Sequence, residues 1–415
     1  MKNKNSKNYA WLFGGGAIRG AGHVGVLYAL EELDIIPTTL CGSSVGSIIA
    51  ALYAVGFTKE ELADIFLHVN FELFRDISFG FSQKFALSKG EVFLDWIREL
   101  IEKKFYKDNY VKGDSPHICF KDINRNLVII TTNMNDFSCN EFSTFATPDF
   151  EIAMAVRISC CMPGLMRAVN MNDKLLVDGD LMKGKPMWSL TDNLKNSPDR
   201  ILEIRLEGTF SGTDQNAVEY VNGMYSCMTF SETEFIKKTY CCYDKYDYLV
   251  INTGNVVVVD FNYPEQKRQE IIDSGYLQTI KYFTIDLVDK KKRLCEIYTK
   301  VLYAIQKTKN FMKSKKYFQA KCNIANLFVE IIDDHKFIDE EFYNKLKDIQ
   351  ILMFTSIKNG LLGRSVCTCK TEIIDELENL IIENIEIIND LNDYINKYAN
   401  KCYKGTTELT PAKSV

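Results

Sequence analysis

Gly14-Gly15-Gly16-Ala17-Ile18-Arg19-Gly20 places three successive glycines between a strand-like stretch and a helix-like one. Backbone without a Cβ can approach a ligand closely. Converging N–H groups there suit a phosphate or the oxyanion formed in acyl transfer. No Gly-Lys-Ser/Thr follows, so the loop is not a P-loop, and its spacing fits a dinucleotide fingerprint poorly. Gly42-Ser43-Ser44-Val45-Gly46 is G-x-S-x-G, again between a strand and a helix. That context puts Ser44 on a sharp turn at a helix N-terminus, whose dipole favours negative charge on the serine oxygen.

A serine nucleophile needs a base. The chain has four histidines. His23 reads as a packing residue on the helix after the glycine loop. His68 ends an amphipathic helix, His117 sits beside a proline, and His335 follows Asp333-Asp334 far downstream. None fits the Ser, Asp/Glu, His order of an α/β-hydrolase. Leu175-Leu176-Val177-Asp178-Gly179-Asp180 is instead a strand ending in a polar turn. Asp178 emerges where α/β sheets place reactive groups. A carboxylate becomes an adequate base when partly desolvated, with the oxyanion stabilised elsewhere. Read alone, Asp-Gly is an ordinary turn signal.

Six apolar runs read as the strands carrying these groups: Tyr9–Phe13, Thr38–Cys41, Leu127–Thr131, Leu175–Val177, Ile201–Leu206 and Tyr248–Ile251. Helical patterns lie between them, including Ala21–Leu33, Val45–Val55, Lys59–His68 and Glu91–Phe105. This alternation predicts an α/β fold with a largely parallel sheet covered on both faces.

The 415 residues are 46% hydrophobic and 25% charged, enough for a sizeable core and inconsistent with a wholly disordered chain. The net charge is −5, from 50 basic and 55 acidic residues, so no global nucleic-acid footprint is expected. MKNKNSKN runs straight into YAWLF, and neither a leader nor a membrane span is expected. The 13 cysteines lack paired zinc-site spacing and read as reduced thiols of a cytoplasmic protein.

After Val288 the pattern changes. Residues 289–404 read as a helical region with helices over Lys316–Val329, Asp339–Lys358 and Thr371–Tyr398, interrupted at Gly360-Leu361-Leu362-Gly363. Residues 405–415 read as a disordered tail. Lys290–Arg293 reads as a solvated helix face, and the Ile-rich last helix as one packed on its neighbours. Asn70–Leu87, rich in Phe, is either a mobile cover that meets a bilayer or a loop packed over the sheet; the second reading is taken.

Taken together, the motifs resemble the patatin-like phospholipase family. Gly14–Gly20 matches its oxyanion loop, Gly42–Gly46 its nucleophile elbow, and Asp178-Gly179 the Asp-Gly of its Ser-Asp dyad. Ala155–Gly164 resembles the segment ending in a Pro-Gly turn before the catalytic strand. Val258-Val259-Asp260-Phe261 and Gly275-Tyr276 resemble the end of bacterial patatin domains. The resemblance covers roughly residues 8 to 285 and puts the domain at 1–288.

The resemblance implies a three-layer α/β/α fold and hydrolysis of fatty-acyl esters in phospholipids or lysophospholipids, with no metal and no organic cofactor. Ser44 would attack while Asp178 takes its proton. Gly14, Gly15 and Gly16 would hold the oxyanion, and Arg19 would fix that loop or neutralise a lipid phosphate. Peripheral membrane contact follows for such a substrate. A second reading is an effector, silent or conditionally active, whose helical region binds a partner, a signal ligand or another copy of the chain. Two departures stand out: Asp180 where the family has Gly or Ala, and Lys183 where it often has Asn. Asp180 would either raise the apparent pKa of Asp178 or point into solvent.

Overall fold

A computed structural model describes residues 9–74, 86–181, 200–208, 246–256, 263–331, 340–359 and 365–367, with positions 375 and 379. Lys183, His335, the Val258–Phe261 segment, residues 75–85 of the Phe-rich stretch and most of the expected last helix lie outside them. The chain divides into two compact units. One holds residues 1–241 and 245–280, the other 242–244 and 281–415.

In the first unit, β1 (Tyr9–Phe13) is wholly buried. A strand covered on both faces reads as a continuous apolar run, and Trp11, Leu12 and Phe13 supply it. A glycine-rich turn leads into α1 (Ala21–Glu32), then β2 (Pro37–Ser43), α2 (Val45–Val55) and α3 (Lys59–His68). Thr58 and Glu61 cap α3 reciprocally, each side chain bonding the other's backbone N–H. There follow β3 (Ala86–Ser88), α4 (Glu91–Tyr106), β4 (Asn126–Asn133), β5 (Ser138–Ser143) and α5 (Ile152–Ser159). The remaining elements are β6 (Gly164–Met166), β7 (Val169–Met171), β8 (Lys174–Asp178), β9 (Arg200–Glu207), β10 (Tyr246–Asn252) and α6 (Glu265–Lys281).

The main sheet runs β10, β9, β1, β2, β4, and all these neighbours pair in parallel. Beyond β2 the pattern changes in a way that decides the site. β5 pairs antiparallel along β4 from Val128 to Asn133. The other edge of β4 is therefore shared. β2 occupies it up to Ser43 opposite Ile130, and antiparallel β8 occupies it from Asp178 opposite Thr131. The ends of β2 and β8 thus meet head to head on adjacent residues of β4. A tight turn with Asn172 and Asp173 both at positive φ returns β7 into β8, as a two-residue hairpin of this twist requires.

The elbow and glycine loop are braced by close backbone contacts. α1 and α6 touch so tightly that a Cβ on Gly25 would lie 1.9 Å from the Ile272 carbonyl oxygen. α2 packs on β1, β2 and β4 through a helix buried along nearly its whole length.

The second unit contains α7 (Leu287–Lys313), α8 (Tyr317–Glu330) and α9 (Glu340–Ser356). Val301, Ile305, Ile324, Leu327, Leu346 and Met353 are in its core. α9 stops at Ser356, and Ile357–Asn359 pairs antiparallel with Ser365–Cys367. This ribbon adds a β element to a region expected to be all helical. Gly360 and Gly363 break helical periodicity there, and β-branched Ile357 and Val366 suit a strand. No helix among the described residues is long and apolar enough to cross a membrane.

Candidate active site

Ser44 follows β2 and precedes α2, with φ 51° and ψ −131°. A non-glycine residue in that region is strained and marks a turn held by its surroundings. The turn fits only because its flank is bare: a Cβ on Gly46 would sit 2.0 Å from the Phe13 carbonyl oxygen. The Ser44 N–H donates to Ser159 Oγ at 3.0 Å, and Ser159 in turn donates to the Ile130 carbonyl at 2.7 Å. The Ser44 carbonyl accepts from Ser47 Oγ at 2.6 Å and from Cys160 Sγ at 3.2 Å. Both backbone polar groups of Ser44 are therefore held, the N–H from α5 and the carbonyl from α2 and from Cys160 just past α5.

That side chain donates to Asp178 Oδ2 at 2.8 Å. Ser44 is 5% exposed and Asp178 2%. The Asp178 N–H donates to the Cys161 carbonyl at 3.0 Å, and its carbonyl accepts from Thr132 Oγ1 at 2.9 Å. Its second carboxylate oxygen, Oδ1, accepts from the Asp180 N–H at 2.8 Å. Ser43 is buried too, but its hydroxyl has no hydrogen-bond partner among the described residues. Of the two neighbouring serines, Ser44 is the one set against a carboxylate.

The three described histidines, His23, His68 and His117, bond other partners. His23, fully buried, bonds the Gly14 carbonyl through Nε2 at 2.8 Å. Burial pushes its imidazole down to about 4, against a rise from the Gly14 bond, so it is neutral near pH 7 and Nε2–H is the donor. His68 bonds Asp64 and His117 bonds Glu102.

The glycine loop is less uniform than its sequence suggests. The Gly14 N–H is spent on the Ile204 carbonyl at 2.9 Å, and the Gly15 N–H on Asp180 Oδ1 at 3.2 Å. Gly16 is the N-cap of a 3-10 turn over Ala17–Gly20, with no side chain capping it. The first N–H groups of such a turn have no partner within it. Among the described residues no acceptor is seen for the Gly16 and Ala17 N–H groups, whereas those of Gly14 and Gly15 are engaged. Arg19 is buried and donates to the Val256 carbonyl from Nε at 3.2 Å and Nη2 at 2.8 Å.

Asp180 does not point into solvent. It is 4% exposed and pairs with Arg205 at 2.9 Å. Arg205 also binds Glu203, at 2.7 Å from Nη2, and Glu203 accepts from the Tyr246 hydroxyl at 2.8 Å. Sequence reading singled out neither Arg205 nor Glu203. Their signal was two charges inside the apolar run Ile201–Leu206. Cys160 stands beside the elbow, and burial, then the Asp178 carboxylate, push its thiol well above the ordinary range. It is a packing neighbour rather than a competing nucleophile. Among the described residues no group of three or more His, Cys, Asp or Glu could hold a metal.

Residues 12–190 match the family model for patatin-like phospholipase. Protein R571 of Acanthamoeba polyphaga mimivirus is 25% identical over 291 residues, 66% of this chain and 93% of the relative. Lysophospholipase NTE1 of Cryptococcus neoformans var. neoformans is 28% identical over 193 residues, 44% of this chain but 10% of that protein. Among solved structures, VipD from Legionella pneumophila superposes with a TM-score of 0.51 at 15% identity, covering 97% of this chain and 90% of its own. That likeness concerns the fold alone.

Proposed function

Residues 12–190 form a patatin-like phospholipase domain, and from that premise we propose that the chain is a serine acyl hydrolase cleaving fatty-acyl esters of phospholipids or lysophospholipids. The observation that carries the reading is the 2.8 Å bond from Ser44 Oγ to buried Asp178, at a strained strand-to-helix turn. Ser44 Oγ attacks the ester carbonyl carbon and passes its proton to Asp178 Oδ2. The tetrahedral oxyanion is held by the N–H groups of Gly16 and Ala17, with the N-terminus of α2 adding its dipole. Asp178 returns the proton to the departing alcohol, leaving an acyl ester on Ser44. Water then attacks that ester with Asp178 as base, the proton goes back to Ser44 Oγ, and the fatty acid leaves.

Asp178 suits this role for a physical reason. Burial removes water that would otherwise stabilise its charge, while the Asp180 N–H holds Oδ1 and leaves Oδ2 for the serine. Such a substrate brings the protein to a membrane surface without requiring a span. The test is lipid mass spectrometry of a phospholipid mixture incubated with the wild type and with Ser44→Ala. Free fatty acid and lysolipid should accumulate with the wild type alone. Equal release by both proteins, or none by either, contradicts the reading.

A further inference from the structure

We infer that Asp180 is a positioning residue for the oxyanion loop, clamping the Gly14–Gly15 peptide together with His23 so that the next amides face the reacting oxygen. The inference rests on the acyl-hydrolase reading above and deepens it.

A peptide unit is planar, so fixing both its polar atoms fixes its orientation. The carbonyl of the Gly14–Gly15 unit accepts from His23 Nε2 at 2.8 Å, and its N–H donates to Asp180 Oδ1 at 3.2 Å. One plane is thereby held from opposite ends by two buried side chains. Gly16 follows directly, and its N–H is the first in the loop with no acceptor among the described residues. The contact is close: a Cβ on Gly15 would lie 2.5 Å from Asp180 Oδ2.

Burying an ionised group is costly unless its partners compensate. Arg205 compensates both Asp180, at 2.9 Å, and Glu203, at 2.7 Å. What Asp180 adds is an acceptor for Gly15, held in place by Arg205. Its own N–H meanwhile holds Asp178 Oδ1 at 2.8 Å. Through its two ends, one residue sets the spacing between the base and the oxyanion loop. Asp180→Ala removes the carboxylate and keeps the Glu203–Arg205 pair, and the melting profile reads whether the fold is kept.

Three full-length proteins test this: wild type, Asp180→Ala and Asp180→Asn, each checked for an unchanged melting profile. The first readout is amide hydrogen exchange of the segment holding Gly15 to Ala17. It should quicken about tenfold or more in Asp180→Ala as the clamp opens, and less in Asp180→Asn, whose amide oxygen still accepts from Gly15. The second is ester hydrolysis. In Asp180→Ala kcat should fall about 100-fold with KM nearly unchanged, since a displaced donor is felt in the transition state. Asp180→Asn should recover part of that loss. Unchanged exchange in Asp180→Ala overturns the inference, as does a loss confined to KM. A wild type without hydrolysis would sink the acyl-hydrolase reading, while the exchange readout would still decide whether Asp180 clamps the loop.

Discussion

The surroundings of Ser44 and the core of the helical unit are built on opposite terms. Around Ser44 the chain breaks local rules repeatedly. A serine and an alanine sit at positive φ, glycines are pressed against carbonyl oxygens, and the carboxylates of Asp178, Asp180 and Glu203 are buried with the Arg205 guanidinium. The helical core breaks almost none. It is filled by Ile, Leu, Val and Met at helical spacing, and its buried Thr308 hydroxyl is satisfied by the Ala304 carbonyl and by Asn323. Such apolar contacts tolerate exchange at conserved volume, whereas strain and buried charge persist only where the surrounding structure enforces them. The difference teaches where to look for chemistry: at residues that cost stability locally and are held by many partners.

If that contrast is sound, a small change at the elbow should cost more than a larger one in the helical core. Gly46→Ala adds one methyl group but drives it into the Phe13 carbonyl, and should cost more than about 5 kcal/mol, or prevent soluble expression. Chemical denaturation or expression yield reads this directly. Leu346→Ala removes three carbons from the helical core and should cost about 2–5 kcal/mol, read on the unfolding transition of that unit. A cost for Leu346→Ala above that of Gly46→Ala would break the comparison.

The pH dependence sharpens it further. His23 is held neutral down to about 4, whereas an unfolded histidine takes its proton near 6.5. Between these values the unfolded chain binds more protons, so stability rises with pH. The contribution is complete above about 6.5 and is lost as pH falls towards 4, a span worth about 3 kcal/mol. Denaturant midpoints from pH 4 to 7.5 should show a steeper slope for the wild type than for His23→Gln. Identical slopes would mean that His23 titrates normally. The smallest effect belongs to Ser43→Ala. It removes a buried hydroxyl with no partner among the described residues, and should shift stability by no more than about 0.5 kcal/mol.

Strands written as dense apolar runs were legible. Tyr9–Phe13 matches residue for residue, and Leu127–Thr131 and Ile201–Leu206 sit inside strands one or two residues longer at each end. β5 was not legible. Its run Ser-Cys-Asn-Glu-Phe-Ser is half-buried and polar, and it owes its pairing to β4 rather than to its own pattern. The positions of Ser44 and Asp178 could be read from motifs. That β2 and β8 share one edge of β4 could not, since it follows from strand order. The division of labour within the glycine loop was also hidden, because Asp180 and Ile204 claim its amides from distant parts of the chain.

The central claim is that Ser44, deprotonated by Asp178, is the nucleophile. Its most direct test is reaction of the full chain with a fluorophosphonate probe, followed by peptide mass spectrometry and rate measurement. The adduct should map to Ser44 in the wild type and be absent from Ser44→Ala. In Asp178→Asn it should form about 1,000-fold more slowly or less, because the neutral amide cannot accept the serine proton. An adduct on Ser43 or Cys160, or undiminished labelling of Asp178→Asn, would contradict the account.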